Sequence, residues 1–317
     1  MADFQHLFGP VPSRRLGRSL GVSPIPGKTC NYACIYCQLG RTDHMTNTRQ
    51  PFYPVEKITG ELDRWLAADK EPGGGFDVVT VVGEGEPTLY ADLGTLLREI
   101  RRRTDKPVAV ITNGALLYDP EVVRDLMEAD IVLPSLDAWD EATFRKIDRP
   151  YGRLNWEETV RSLADFSHRY HGQLWLELML VDGVNTEGAS EGFRPLLEKI
   201  RYDRLYLNTP VRPPAEKDVQ PVPPERLHRL AEELGGISID SLTSGAFASE
   251  AADDYEAVTG IIRRHPMNQH EIAGFLASRG ENDPAPLLRR LEQDPAVEAV
   301  DYKGFITYRL RPETNAQ

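Results

Sequence analysis

Residues 30–37 read Cys-Asn-Tyr-Ala-Cys-Ile-Tyr-Cys, and Cys30, Cys34 and Cys37 are the only cysteines among the 317 residues. Their spacing places three thiols on one short loop, where they can converge on a metal centre. An odd number of cysteines this close together does not suit a disulfide framework. Because thiolates bind both iron–sulfur clusters and zinc, the stretch predicts a metal site.

Two kinds of metal site remain open for this loop. A structural zinc site needs four ligands and usually contains C-x2-C pairs, so His44 would have to be the fourth ligand. A [4Fe–4S] cluster held by three cysteines keeps one iron open for another molecule. The first spacing here is three residues rather than two, and this favours the cluster.

The composition argues against two classes of protein, non-specific nucleic-acid binders and membrane-spanning proteins. The chain has 37 Lys and Arg against 49 Asp and Glu, a net charge of −12, so it lacks the broad positive charge that holds nucleic acid non-specifically. No apolar run approaches the roughly 18 residues of a membrane span. The N-terminus also lacks the basic and apolar blocks of a signal peptide. We therefore expect a cytoplasmic protein without a membrane partner.

After the cysteines, short apolar β-prone runs alternate with helical patterns. Strands are predicted at 77–82, 107–112, 130–134, 174–181 and 205–207, and helices at 56–68, 92–103, 120–128, 155–167, 189–201 and 223–234. Short, uniformly apolar strands are typical of parallel sheets that are buried on both faces. Repeated βα units with about six strands predict an α/β fold, a partial (β/α)6 TIM-like barrel rather than a complete eight-stranded one.

The last 65 or so residues change character. Residues 236–252 are small and polar and predict a linker between a barrel domain at 1–235 and a small domain at 253–317. Within that small domain, helices are predicted at 253–264, 268–278 and 284–293, and strands at 297–300 and 305–310, joined by a turn at Lys303-Gly304. Three short helices and a hairpin are typical of a winged-helix-like domain.

The cysteine motif resembles the signature of the radical S-adenosylmethionine (SAM) superfamily, C-x3-C-x2-C with an aromatic residue before the third cysteine. Further motifs follow the predicted strands in order. Gly85-Glu86-Pro87 resembles the family's Gly-Gly-Glu-Pro element, with Glu84 where the first glycine usually stands. Thr112-Asn113-Gly114 and Ser135-Leu136-Asp137 end the next two strands. Ligands of parallel α/β sheets bind beyond these strand ends.

The resemblance implies an enzyme in which a [4Fe–4S] cluster on the three cysteines cleaves SAM reductively. The resulting 5′-deoxyadenosyl radical would abstract hydrogen from an unknown substrate, with electrons from a flavodoxin or ferredoxin. The implied cofactor contacts are Tyr36, Gly85, Glu86, Pro87, Thr112, Asn113, Ser135 and Asp137. From the residues alone, Tyr36 could equally be a core aromatic, and Ser135 or Asp137 a helix cap.

A closer resemblance lies in residues 9–22 and 38–42. They are similar to a group of largely uncharacterised Fe–S oxidoreductases that is related to the wyosine synthases. Wyosine synthases carry a second cluster with its own cysteines, and no cysteine remains here to hold one. The absence of further cysteines therefore argues against that transfer RNA reaction.

Several polar residues are candidates for binding the substrate. They are Arg14, Arg15 and Arg18 ahead of the cysteines, Glu177 in a predicted strand, and Asn208 and Arg212 after the last strand. Arginine can form two parallel hydrogen bonds with a phosphate or carboxylate, so one hypothesis is that the three arginines bind an anionic substrate. Solvated surface, loop structure and a buried ion pair are the alternatives for these residues.

The terminal domain offers little support for nucleic-acid binding. Residues 251–317 contain 8 Lys and Arg and 11 Asp and Glu, a net charge of −3. A nucleic-acid module is usually basic on its contact face. We therefore favour a lid, protein-contact or substrate-presenting role. An iron–sulfur-dependent regulator or an RNA-modifying protein is the less favoured alternative.

Overall fold

A computed structural model describes residues 4–68, 75–242 and 253–311, together with residues 247, 249 and 251. The strands are β1 (Leu7–Ser13), β2 (Gly17–Val22), β3 (Thr29–Cys30), β4 (His44–Met45), β5 (Val78–Val81), β6 (Val108–Thr112), β7 (Ile131–Pro134), β8 (Gln173–Met179), β9 (Arg204–Asn208), β10 (Ile237–Ser238), β11 (Met267–Asn268), β12 (Val297–Tyr302) and β13 (Phe305–Leu310). The helices are α1 (Val55–Ala67), α2 (Leu93–Arg101), α3 (Pro120–Leu126), α4 (Glu141–Ile147), α5 (Trp156–Arg169), α6 (Ala189–Leu197), α7 (Pro224–Leu234), α8 (Asp254–Ile262), α9 (Gln269–Ser278) and α10 (Ala285–Gln293).

The central sheet has eight strands in the order β1-β2-β5-β6-β7-β8-β9-β10. Every neighbouring pair is parallel except β1 and β2, which form an antiparallel hairpin. Neighbouring strands also follow one another in the chain, with helices in the connections, as right-handed crossovers require. The molecule is therefore an α/β protein with a mostly parallel central sheet, consistent with the predicted partial barrel.

The inner strands are buried on both faces, as their apolar sequences predict. β5 and β7 are buried at every residue. One side of the sheet packs against α1–α3 and α5–α7 in the largest hydrophobic cluster. The other side forms a smaller cluster that includes Val78, Ile131 and Tyr206. Because both faces of the sheet are covered by apolar side chains, polar side chains can come together at the ends of the strands.

Residues 7–22, for which the sequence predicted no strand, form regular structure. They form the β1–β2 hairpin, and β2 is the first parallel strand. Arg14 and Arg15 lie in the hairpin turn, at the amino end of β2. The cysteine loop lies beyond its carboxyl end. The turn and the cysteine loop therefore follow from opposite ends of β2 itself.

The C-terminal unit, residues 253–311, has its own hydrophobic cluster and a small antiparallel sheet in the order β11-β13-β12. The three helices and the hairpin occur where the sequence predicts them. Phe8 and Val11 of β1 pack on this cluster, so the unit sits against the edge of the central sheet. Residues 243–246, 248, 250 and 252 of the predicted linker lie outside the described residues, and the domain boundaries remain a prediction.

Within the part of the chain that the structure describes, no helix is both long enough and apolar enough to cross a bilayer.

Candidate active site

The cysteine loop begins at Cys30, the last residue of β3, and is fixed to the end of α4. The amide of Ala33 donates to the carbonyl of Asp148 at 3.0 Å, and that of Ile35 donates to the carbonyl of Ile147 at 2.9 Å. The amide of Tyr32 donates to the Cys30 Sγ at 3.4 Å, and the amide of Cys37 to the Cys34 carbonyl at 3.2 Å. These bonds hold the loop that carries the three half-buried thiols.

The donor set suits a thiolate-bound metal group. Burial raises the pKa of all three thiols, and for Cys34 the nearby Asp148 carboxyl, 3.5 Å from its Sγ, raises the pKa further. Metal binding would have to displace these protons. Among the described residues, no three or more His, Cys, Asp or Glu side chains are arranged to hold a single metal ion. Cluster cysteines bind different irons and need not converge on one point.

Glu86 joins the ends of two neighbouring strands. It is 2% exposed, and its carboxylate accepts hydrogen bonds from the hydroxyls of Thr88 at 2.5 Å and Thr112 at 2.6 Å. The amides of Thr88 and Asn113 donate to it at 3.0 and 2.8 Å. Burial raises the pKa of Glu86, and these bonds oppose the shift. The side chain therefore fixes the backbone on which the predicted cofactor contacts lie.

Gly85 makes the closest backbone approach at this site. A Cβ added there would lie 1.8 Å from the carbonyl oxygen of Thr29. The next residue, Glu86, donates its amide to the same oxygen at 3.1 Å. The strand that ends in Cys30 is thereby held against the loop that follows β5. Glycine at position 85 is a requirement of this contact.

Tyr36 and Asp137 meet across the loop. The Tyr36 hydroxyl donates a hydrogen bond to the Asp137 carboxylate. The same carboxylate accepts a hydrogen bond from the amide of Met179 at 2.9 Å. Burial raises the pKa of Asp137 to about 6, and burial together with Asp137 raises the pKa of Asp148 well above its usual value. Neither Ser135 nor Asp137 caps a helix, because Asp140 is the N-cap of α4.

A cavity of about 540 Å³ runs beside this centre. Tyr36 and Cys37 are among its lining residues, and most of the others belong to the sheet, its loops and the C-terminal unit. Five of the six predicted substrate residues also line it: Arg14, Arg15, Glu177, Asn208 and Arg212. Arg18 lies elsewhere. Its guanidinium pairs with Asp77 at 3.0 Å, and its side chain is 44% exposed.

Two ion pairs form part of the cavity wall. Arg15 pairs with Glu177, and both side chains are largely buried. Arg212 makes two hydrogen bonds to Glu271, at 2.5 and 2.7 Å, and so ties the loop after β9 to the start of α9. For Glu177, the structure shows the buried ion pair that was an alternative to substrate contact.

Three residues of the site were not predicted from the sequence: Asp148, which lies beside the thiol of Cys34, and Gln38 and Arg264, which contact each other. Arg264 pairs with Glu84 at 3.6 Å, and its carbonyl accepts a hydrogen bond from Gln38 at 3.1 Å. The glutamate that replaces the family's first glycine thus contacts the C-terminal unit. No sequence signal could reveal these contacts, because they join residues far apart in the chain.

We expect His265 to make stability dependent on pH. Burial lowers the pKa of His265 from 6.5 to about 4, Arg212 adds to the shift, and Glu271 opposes it. Between these values the unfolded chain binds a proton that the folded chain does not, so stability falls as pH decreases, by up to about 1.4 kcal/mol per pH unit.

Urea unfolding at about pH 7 and about pH 5 measures this effect. The free energy of unfolding should fall more in the wild type than in His265→Gln. An equal fall in both proteins would contradict the assignment to His265.

The fold and the site define an α/β protein with a candidate metal centre beyond the carboxyl ends of its parallel strands, where such sheets bind ligands. The chain matches the Radical SAM superfamily over residues 25–191. It is 32% identical to a UPF0026 protein of Methanocaldococcus jannaschii over 95% of this chain and 94% of that protein. The chain therefore belongs to the radical SAM superfamily, as its motifs predict, and it also belongs to the UPF0026 group.

Other relatives extend the comparison. A Brachyspira hyodysenteriae protein named GTPase Obg is 34% identical over 96% of this chain, which spans 45% of that relative's length. Among solved structures, TYW1 with a lysine-pyruvate adduct gives a TM-score of 0.51 at 22% identity, over 68% of this chain and 72% of that one. A radical SAM methyltransferase from Sphaerobacter thermophilus gives a TM-score of 0.50 at 20% identity, over 69% of this chain and 64% of that one. These two structures support the fold.

Proposed function

We propose that this protein binds a [4Fe–4S] cluster through Cys30, Cys34 and Cys37 and uses it to cleave SAM. When bound, the cluster would supply the electron that yields methionine and a 5′-deoxyadenosyl radical, and this radical would abstract hydrogen from the substrate. The observation that carries the proposal is the cysteine loop, with three half-buried thiols at the strand ends and Cys37 opening into a large cavity.

The protein's own residues bind and position. Gly85 and Glu86 hold the loop after β5 against Thr29, the residue before Cys30, and support the backbone expected to meet the methionine group. Tyr36, held by Asp137, lines the cavity with Cys37 and would contact the adenine. Thr112, Asn113 and Ser135 complete the proposed cofactor contacts at the neighbouring strand ends.

The C-terminal unit, which we assign as winged-helix-like, would act as a lid. It closes one side of the cavity and would keep water away from the radical. The electron donor would be a flavodoxin or ferredoxin, and the site of action the cytoplasm. Nucleic acid remains the less favoured partner.

Metal analysis and SAM binding test the proposal. After anaerobic purification and reconstitution, the protein should contain iron and sulfide, and SAM should bind to the cluster-loaded form more tightly than to the cluster-free form. Colourless protein with zinc in place of iron, or equal SAM affinity in both forms, would contradict it.

A further inference from the structure

The charges that line the cavity are unlike those of the whole chain. Although the chain carries a net charge of −12, the described lining has five cations and three carboxylates, with His265 neutral at physiological pH. The cations are Arg14, Arg15, Arg212, Arg264 and Lys303, and the carboxylates are Glu177, Asp240 and Glu271. An excess of positive charge inside an acidic protein points to an anionic ligand.

Three of the cations already have a carboxylate partner. Arg15 pairs with Glu177, Arg212 binds Glu271 through two hydrogen bonds, and Arg264 pairs with Glu84. The uncompensated charge therefore falls on the remaining two cations, Arg14 and Lys303.

Arg14 and Lys303 share one carboxylate. The guanidinium of Arg14 lies 3.4 Å from Asp240, and the Arg14 side chain is 35% exposed. Lys303 lines the same cavity as Arg14 and Asp240. Partial burial lowers the pKa of Lys303, the charge of Asp240 opposes this shift, and the charge of Arg14 adds to it. Two cations beside one carboxylate leave one positive charge to be balanced by a ligand.

Lys303 holds a backbone conformation that favours other residues. It is the first residue of the two-residue turn between β12 and β13, with φ of +55°, and Gly304 follows with φ of +78°. Asn, Asp and Gly are preferred at this position of such a turn. A lysine there costs stability, and a strained residue is a sign of a functional requirement.

The position of this pair bears on the orientation of the ligand. Arg14 precedes β2 in the chain and Cys37 follows it, and both residues line the cavity of about 540 Å³. A molecule that fills this cavity can therefore contact the two cations with one group and approach the cysteine loop with another.

We infer that Arg14 and Lys303 bind the phosphate or carboxylate group of a small-molecule substrate, another part of which lies near the cysteine loop. This inference rests on the proposed function, because it takes the cavity as the substrate site. The barrel supplies Arg14 and the C-terminal unit supplies Lys303, so the unit contributes a substrate-binding residue as well as closing the cavity.

Binding of simple anions to the reconstituted, unreduced full-length protein tests the inference. Inorganic phosphate and acetate are titrated separately at constant ionic strength, and the shift in melting temperature gives an apparent Kd for each. At least one anion should bind saturably in the millimolar range. The anion that binds more tightly identifies the substrate group, phosphate or carboxylate, that the two cations bind. Arg14→Gln and Lys303→Asn should each weaken that binding by about tenfold.

The variants carry their own controls. Lys303→Asn places a preferred residue in the turn, so its melting temperature without anion should equal or exceed that of the wild type. Lys106→Gln and Arg161→Gln remove exposed charges outside the cavity lining and should leave anion binding unchanged.

Three results would overturn the inference: no saturable binding of either anion to the wild type, unchanged Kd values in Arg14→Gln and Lys303→Asn, or a parallel loss of SAM affinity in both variants. The third would assign the two cations to the cofactor. Anion binding requires no electron transfer, so a protein that binds phosphate but fails to cleave SAM would contradict the proposed function alone.

Discussion

Cys34→Ala should lose the cluster and reduce SAM cleavage by at least about a hundredfold, since even the loss of residues that support metal ligands costs about ten- to a hundredfold. The thiol lies on a loop fixed by backbone hydrogen bonds, and the chain has no fourth cysteine to replace it. Iron and sulfide content, together with 5′-deoxyadenosine release, measure the effect.

His44→Ala is the matched control, because it separates a cluster from a zinc site. His44 is exposed on β4, in the strand beside Cys30. The cluster assignment predicts that this variant keeps its iron and its activity. Loss of the bound metal in His44→Ala, with full metal content in the wild type, would favour a zinc site with His44 as its fourth ligand.

Gly85→Ala is expected to be the most damaging substitution outside the cysteines. Its Cβ would lie 1.8 Å from the Thr29 carbonyl oxygen, and backbone has to move to relieve this contact. Such overpacking costs about 3 kcal/mol. It would also displace Cys30, the residue after Thr29, so we expect weaker cluster retention as well as a lower melting temperature.

Gly60→Ala is the control for this substitution. Gly60 lies within α1, and apart from the backbone of its own helix and its chain neighbours, no atom of the described residues lies within 4 Å of its added Cβ. Alanine in a helix interior is favoured over glycine by about 0.5–1 kcal/mol, so Gly60→Ala should stabilise the protein. Equal melting temperatures and equal iron contents for Gly85→Ala and the wild type would show that the contact at Thr29 is unimportant.

The sequence predicted the regular parts of the fold because local patterns determine them. The apolar β-prone runs became β5–β9, and the helical patterns between them became α1–α3 and α5–α7. The short helix α4 was missed, as was the β1–β2 hairpin. β1 contains Pro10 and Pro12 and has a register irregularity between Phe8 and Val11, so its strand pattern is broken.

The site was only partly predictable. Motifs at the ends of successive strands brought together Glu86, Thr112 and Asn113, since parallel strands place their carboxyl ends side by side. The pairing of Glu84 with Arg264 joins positions far apart in the chain and depends on how the C-terminal unit packs. No periodicity or motif in one sequence specifies such a contact.

The most direct test of the account is the product formed from SAM. The reconstituted protein, reduced anaerobically with dithionite and supplied with SAM, should release 5′-deoxyadenosine and methionine, and cluster-free protein should not. If protein with confirmed iron and sulfide content releases no 5′-deoxyadenosine, the assignment of a SAM-cleaving centre to Cys30, Cys34 and Cys37 is wrong.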